Sequence, residues 1–183
     1  MSHGQDTLVR LAQLADAAAI AAIYNQGIEE RNATFETELR TVEHITTQLA
    51  EKGEKHPTVV VERAGAVVAW AGVGPYRDRP CYAGIAQHSV YVERSARGTG
   101  AGRAALDGLC RECAARGFWK LLSRIFPENT ASLALHARVG FRVVGVYRRH
   151  GKLDGVWRDA VIVEKLLGEA AADVVEDTAL GCA

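Results

Sequence analysis

The stretch that most constrains this chain runs from Gln87 to Arg103, where Gln-His-Ser-Val-Tyr-Val leads through a short polar turn into three glycines at alternate positions, Gly98, Gly100 and Gly102. Ser89 to Val92 is β-branched and aromatic enough to be a strand, and Arg103 to Arg116 has helical patterning. A strand is therefore delivered onto a helix start. Glycines lack a Cβ, so several amides there can converge on one small volume, and the new helix adds partial positive charge. Such a volume suits a phosphate. A dinucleotide fingerprint would need a glycine where Arg103 stands, and a P-loop would need Gly-Lys-Ser/Thr, which is absent.

The rest of the chain supports one domain. Its 183 residues can bury a proper core, and 48% hydrophobic with 24% charged residues is the make-up of an ordinary soluble globular protein. Formal charge is zero but uneven. Residues after Leu167 carry Glu169, Asp173, Glu176 and Asp177 with no Lys or Arg, so the body to Leu167 holds 22 basic against 18 acidic residues. That surplus suits an anionic ligand and is too small to argue for nucleic acid. Cys81, Cys110, Cys113 and Cys182 are too scattered for a disulfide framework, and the Cys110-x-x-Cys113 pair lacks a second pair to complete a metal site; no metal is expected. No basic-then-apolar leader and no membrane-length apolar run is present, so a cytoplasmic protein is expected.

In chain order, Leu8 to Leu11 reads as a strand, and Asp16 is placed to cap a helix running to about Arg31. An irregular linker, residues 32–37, precedes a second helix from Thr41 to about Lys52. Linkers often carry binding groups, which makes Phe35 and Glu36 candidates for a pocket wall. Residues 58–63 and 66–73 form a hairpin, with Gly72 and Gly74 expected to weaken its second strand. A loop rich in cations and rings follows, then a strand from Gly84 to Val92. After the glycine stretch and its helix, ended by Gly117, come a strand at 119–126 and a helix from Asn129 to about Val139, stopped by Gly140. Strands at 141–149 and 156–166 then flank a turn at 150–155. Residues 168–183 read as an acidic, disordered tail. Strands mixed with helices in this order give an α+β (α/β/α layered) domain with helices on both faces of one sheet.

The motif Arg97-x-x-Gly100-x-Gly102 resembles the pyrophosphate-binding motif of the GNAT acetyltransferases. Ser89-Val-Tyr-Val92, Asn129 before Ser-Leu-Ala-Leu-His136, Gly140-Phe141, Gly155-x-Trp-x-Asp159 and Thr34-Phe-Glu-Thr37 are similar to the phosphinothricin and methionine sulfoximine N-acetyltransferases within that superfamily. The resemblance covers about residues 7 to 167. It implies the GNAT fold, a mostly antiparallel mixed sheet splayed between strands 4 and 5. It also implies acetyl-CoA as co-substrate, direct transfer in a ternary complex to a small amino-acid-like amine such as phosphinothricin, methionine sulfoximine or arsinothricin, a homodimer, and a role in antibiotic or herbicide resistance.

On that footing the cofactor would lie against Val90, Tyr91 and Val92 and against Arg97, Gly98, Thr99, Gly100, Ala101, Gly102 and Arg103. Asn129 is either a further cofactor contact or a helix cap. Resemblance places acceptor contacts at Arg77, Asp78 and Arg79 and at Gln87, His88 and Ser89, and guanidinium groups suit the anions of such acceptors. The family has glutamate as proton acceptor where this chain has Gln87, and an amide is not a base. His136, Tyr91, His88 and Glu36 are the nearby replacements, although strand alternation turns His88 away from Gln87, Ser89 and Tyr91. Two other readings stay open: an acetyltransferase for a peptide or protein N-terminus, and a non-catalytic acetyl-CoA sensor.

Overall fold

The computed structural model describes residues 7–172, and the expected tail from 173 onward, with Cys182, lies outside them. Five helices pack on a seven-stranded sheet. The strands are β1 Thr7–Leu11, β2 Thr58–Arg63, β3 Ala66–Pro75, β4 Ile85–Val92, β5 Lys120–Ile125, β6 Arg142–Leu153 and β7 Val156–Leu166. Their spatial order is β1-β2-β3-β4-β5-β7-β6, antiparallel at every junction except β4–β5. The helices are α1 Ala17–Glu29, α2 Val42–Lys52, α3 Ala101–Ala115, α4 Thr130–Arg138 and the single turn α5 Glu169–Ala172.

Period-two alternation sorts the core into two layers. Val60, Trp70 and Tyr91, neighbours across β2, β3 and β4, face α1 and α2 together with Ile20, Ile23 and Ile45. The intervening Val59, Val61, Ala69, Ala71 and Val73 face α3, where Leu106, Leu109, Cys110 and Cys113 complete the larger cluster. Strand β2 is therefore apolar on both faces, as expected for a sheet covered on both sides. Burial raises the thiol pKa values, that of Cys113 to about 12, so the Cys-x-x-Cys pair packs as small apolar side chains.

Parallel pairing of β4 with β5 covers only Ile85–Gln87 against Lys120–Leu122. Beyond Gln87 the strands diverge, while β4 stays paired with β3 as far as Val92. The Ser123 hydroxyl still donates to the His88 carbonyl at 3.0 Å, which shows that the backbone polar groups of His88 face β5. By alternation those of Val90 and Val92 point the same way, into the gap. This is the expected splay.

Several local expectations are corrected. Asp16 stands at the N-cap position of α1 without capping it, because its carboxylate accepts from the Arg10 guanidinium and the Gln13 amide. Strand β3 continues through Gly72 and Gly74 to Pro75, since its register with β4 is unbroken and Gly72 leaves room for Thr58. The final turn is only Asp154-Gly155, both at positive φ, so His150, Gly151 and Lys152 belong to β6. Glu169–Ala172, within the expected tail, forms one helical turn.

Candidate active site

The glycine turn opens the long helix α3. Gly98 and Gly100 have φ values of +75° and +87°, and no other atom lies within 4 Å of the place where a Cβ would stand on either. Gly102, in the first turn of the 15-residue α3, permits close packing: a Cβ there would stand 3.0 Å from Val92 Cγ2. The first main-chain N–H groups of α3 have no intrahelical partner, and they stand at the head of a long helix, where the macrodipole is positive. Thr99 is pinned from outside, with its hydroxyl accepting from Arg63 Nη1 at 2.6 Å and donating to the Ala96 carbonyl. Arg97 is engaged as well: its Nη1 lies 2.9–3.0 Å from both carboxylate oxygens of Glu30, which also takes Arg94. Burial raises the Glu30 pKa, but Arg97 and Arg94 outweigh it and hold the carboxyl below its ordinary value. Arg103 is exposed, 3.5 Å from Asp107.

From the other end of the splay opens a cleft of about 730 Å³ between β3, β4, β5, the 32–37 linker and β6. Phe35, Glu36, Gln87, His88, Ser89 and Tyr91 all line it, so these candidate residues are brought together. Phe35 is held edge-on to Phe126, with ring centroids 4.8 Å apart, and fills the space that a side chain at Gly151 would need. Tyr91 stacks on Trp70 and tilts against Tyr24 at 4.8 Å. Burial, reinforced by Tyr24, raises its phenol pKa far above the ordinary value, so it keeps its proton and does not supply a base.

Gln87 accepts a 2.7 Å hydrogen bond from Arg124 Nη2, and Arg124 Nη1 lies 3.4 Å from His150 Nε2. Arg124, His150 and Lys152 all line the cleft and were not foreseen from sequence. Two signals pointed to them: an arginine in the mostly apolar run Leu121 to Phe126, broken besides only by Ser123, and a histidine that only a longer final hairpin would bring inward.

His88 and His136 are buried together, Nε2 to Nε2 at 2.9 Å, against Phe141. His136 Nδ1 is 2.7 Å from the Ser132 carbonyl, which can only accept. With the proton on Nδ1, His136 Nε2 must accept, and His88 Nε2–H is the donor. Burial lowers both pKa values, with the charge on His136 adding to the effect at His88, which falls to about 3. His136 is 2% exposed and does not line the cleft.

Arg77, Asp78 and Arg79 are not brought to the cleft. They are exposed, and Arg77 and Arg79 lie over the rings of Tyr76 and Tyr82 at 5.4 and 5.9 Å. Asn129 is used structurally on both ends of its amide, its oxygen capping α4 at Ser132 N and its nitrogen donating to the Asn32 carbonyl. No helix among the described residues is long and apolar enough to cross a membrane.

A mixed sheet opened between its fourth and fifth strands, with an amide cradle at one end of the opening and a cleft at the other, is the arrangement of an N-acetyltransferase. The chain belongs to the GNAT family: residues 9–162 match the family described as the acetyltransferase (GNAT) domain. Over 158 residues it is 31% identical to the L-methionine sulfoximine/L-methionine sulfone acetyltransferase of Pseudomonas paraeruginosa, covering 85% of this chain and 92% of that protein. Among solved structures it is similar to a GNAT-superfamily phosphinothricin acetyltransferase from Sinorhizobium meliloti in complex with acetyl-CoA. That match has a TM-score of 0.83 and 30% identity, and covers 94% of this chain and 97% of the other. The ribosomal-protein-alanine N-acetyltransferase of Brucella melitensis is similar with a TM-score of 0.84 and 35% identity, over 87% and 99% of the two chains. The protein is thus an acetyl-CoA-dependent N-acetyltransferase of GNAT fold.

Proposed function

We propose that this enzyme acetylates the amino group of a small amino-acid-like acceptor, of the phosphinothricin, methionine sulfoximine or arsinothricin type. The observation that carries the reading is the position of the cleft, which is continuous with the splay at Gln87, His88 and Ser89 and is walled by aromatic rings. Its size suits an amino-acid analogue. When bound, acetyl-CoA supplies the activated acetyl group as a thioester. Its pyrophosphate would rest on the amides of Gly98 to Arg103, and its pantetheine arm along the gap-facing edge of Val90 and Val92. Arg97 serves this site by fixing the turn through Glu30.

None of the candidate bases is free to act on the acceptor ammonium. Gln87 is an amide, Tyr91 holds its proton, His136 is enclosed with both ring nitrogens engaged, Glu36 is paired with Arg40, and His88, although in the lining, is made too weak a base by burial, its pKa lowered to about 3. The acceptor therefore reacts from its free-amine form, with solvent taking the proton. In consequence kcat/KM should rise tenfold per pH unit until the acceptor's own ammonium has titrated.

Release of thiol from acetyl-CoA, followed with phosphinothricin, methionine sulfoximine, methionine sulfone and a peptide with N-terminal alanine, tests the reading. Peptide turnover alone would favour a protein N-terminus as acceptor, the reading suggested by the name of the Brucella relative. No turnover with any amino-acid analogue would refute the proposal. The exposed Val143, Val144, Val146 and Tyr147 of the outermost strand, with Val156 and Trp157 of β7, support a homodimer. Acetylating an inhibitory amino-acid analogue in the cytoplasm would give the cell resistance to it.

A further inference from the structure

We propose that Arg124 sets acceptor specificity by holding an anionic group on the acceptor's side chain, so that acidic amino-acid analogues are preferred over neutral ones. The inference rests on the amino-acid acetyltransferase reading above and adds to it the residue that selects among such acceptors.

The case begins with charge. Four cations line the cleft, Arg40, Lys52, Arg124 and Lys152, against one carboxylate, Glu36. That carboxylate is already paired with Arg40. Lys152 lies over the Trp157 ring at 4.6 Å. Neighbouring arginines have carboxylate partners, Arg31 with Asp154 and Arg158 with Glu128. Arg124 has only neutral contacts, the Gln87 amide and the His150 ring, and no ion pair among the described residues. It is a charged donor held in a cleft without a counter-charge.

Gln87 explains how it is held. The amide oxygen accepts from Nη2 at 2.7 Å and fixes the guanidinium across the foot of the splay, where Gln87 is in register with Leu122 and Arg124 follows two residues later on the same face. A glutamate at this position would make the same bond and cancel the charge. The amide positions Arg124 and leaves that charge available. Guanidinium carries five N–H donors, and the two contacts seen occupy at most two, so a two-point grip on a phosphinate or carboxylate remains geometrically open. Trp70, also in the lining, has a buried indole N–H without a partner.

The test compares Arg124→Met, Arg124→Lys and Gln87→Glu with the parent enzyme, using phosphinothricin as the anionic acceptor and methionine sulfone as the neutral one. Both kcat/KM and the calorimetric Kd of each acceptor, measured with CoA present, are read. Arg124→Met should lower the phosphinothricin to methionine sulfone ratio by about ten- to a hundredfold, the usual worth of a hydrogen bond to a charged group. Arg124→Lys should restore part of it, and Gln87→Glu should reduce the ratio as Arg124→Met does. An equal loss for both acceptors, or an unchanged ratio, overturns the inference while leaving the acetyltransferase reading intact. If neither acceptor turns over, that reading fails, and the Kd ratio alone then decides for or against Arg124. Failure of both acceptors to bind the parent enzyme overturns the inference too.

Discussion

The buried histidine pair makes the stability of this protein depend on pH in a calculable way. His88 and His136 share one hydrogen bond in which His88 Nε2–H donates and His136 Nε2 accepts, because His136 Nδ1–H is committed to the Ser132 carbonyl. A further proton on His136 would set N–H against N–H, and one on His88 would place an uncompensated charge in the core. The folded pKa of His88 is accordingly about 3, against an ordinary value of 6.5. A histidine with a depressed folded pKa costs nothing above the unfolded value. Below it the unfolded chain binds the proton and the folded chain does not, so stability falls with pH down to the folded pKa. For His88 alone, the loss between pH 7 and pH 5 works out at about 2 kcal/mol, from 1.4 kcal/mol per proton per pH unit. His136, whose pKa is also lowered, adds in the same direction. Carboxylates barely contribute in this window, since Asp16, Glu30 and Asp159 are held below their ordinary values. Urea unfolding at pH 7 and pH 5 should therefore show a smaller pH-dependent loss, by about 2 kcal/mol, in His88→Asn, whose amide can still donate to His136. The lowered His56 is common to both proteins and cancels. Equal losses in parent and variant would refute the reasoning.

Gly100→Val should weaken coenzyme A binding by at least about tenfold in calorimetry. A β-branched residue at φ +87° is strained by about 1–2 kcal/mol, and its side chain would occupy the open side of the turn. Gly84→Ala should lower Tm by about 2–12 °C in a thermal melt, because the added methyl would stand 1.9 Å from the Trp119 ring and relieving such overpacking costs about 1–3 kcal/mol. Replacing Tyr147 and Trp157 together with aspartate should convert the proposed dimer to a monomer by light scattering, with little change in melting.

Much of the fold was legible because it rests on local chemistry. The valine-rich runs of β2 and β3 around Ala64-Gly65, the Thr41 cap on His44 N, and the left-handed glycines at 117 and 140 each locate an element from residues within a few positions of it. The glycine turn was legible for the same reason. The acceptor cleft was only half so, since the linker and β4 reach it by short-range logic, whereas Arg124 and β6 reach it by sheet order. Strand β6 lies outside β7, and its register shifts between Tyr147 and Gly151, which is what carries His150 and Lys152 inward. No spacing in sequence encodes that shift. Arg77 and Arg79 illustrate the converse: attractive in composition, they lie over their own loop's tyrosines.

The three-residue ladder between β4 and β5 is a seam. On one side of it four strands are knit by long antiparallel registers, and on the other side three more, so the sheet is two stiff panels stitched at a single corner. Any extended molecule that pairs with the gap-facing edge of Val90 extends that stitching, and in doing so brings the panel bearing Gln87 and the panel bearing Arg124 into one rigid body. Occupancy of the gap is then a mechanical event as much as a chemical one.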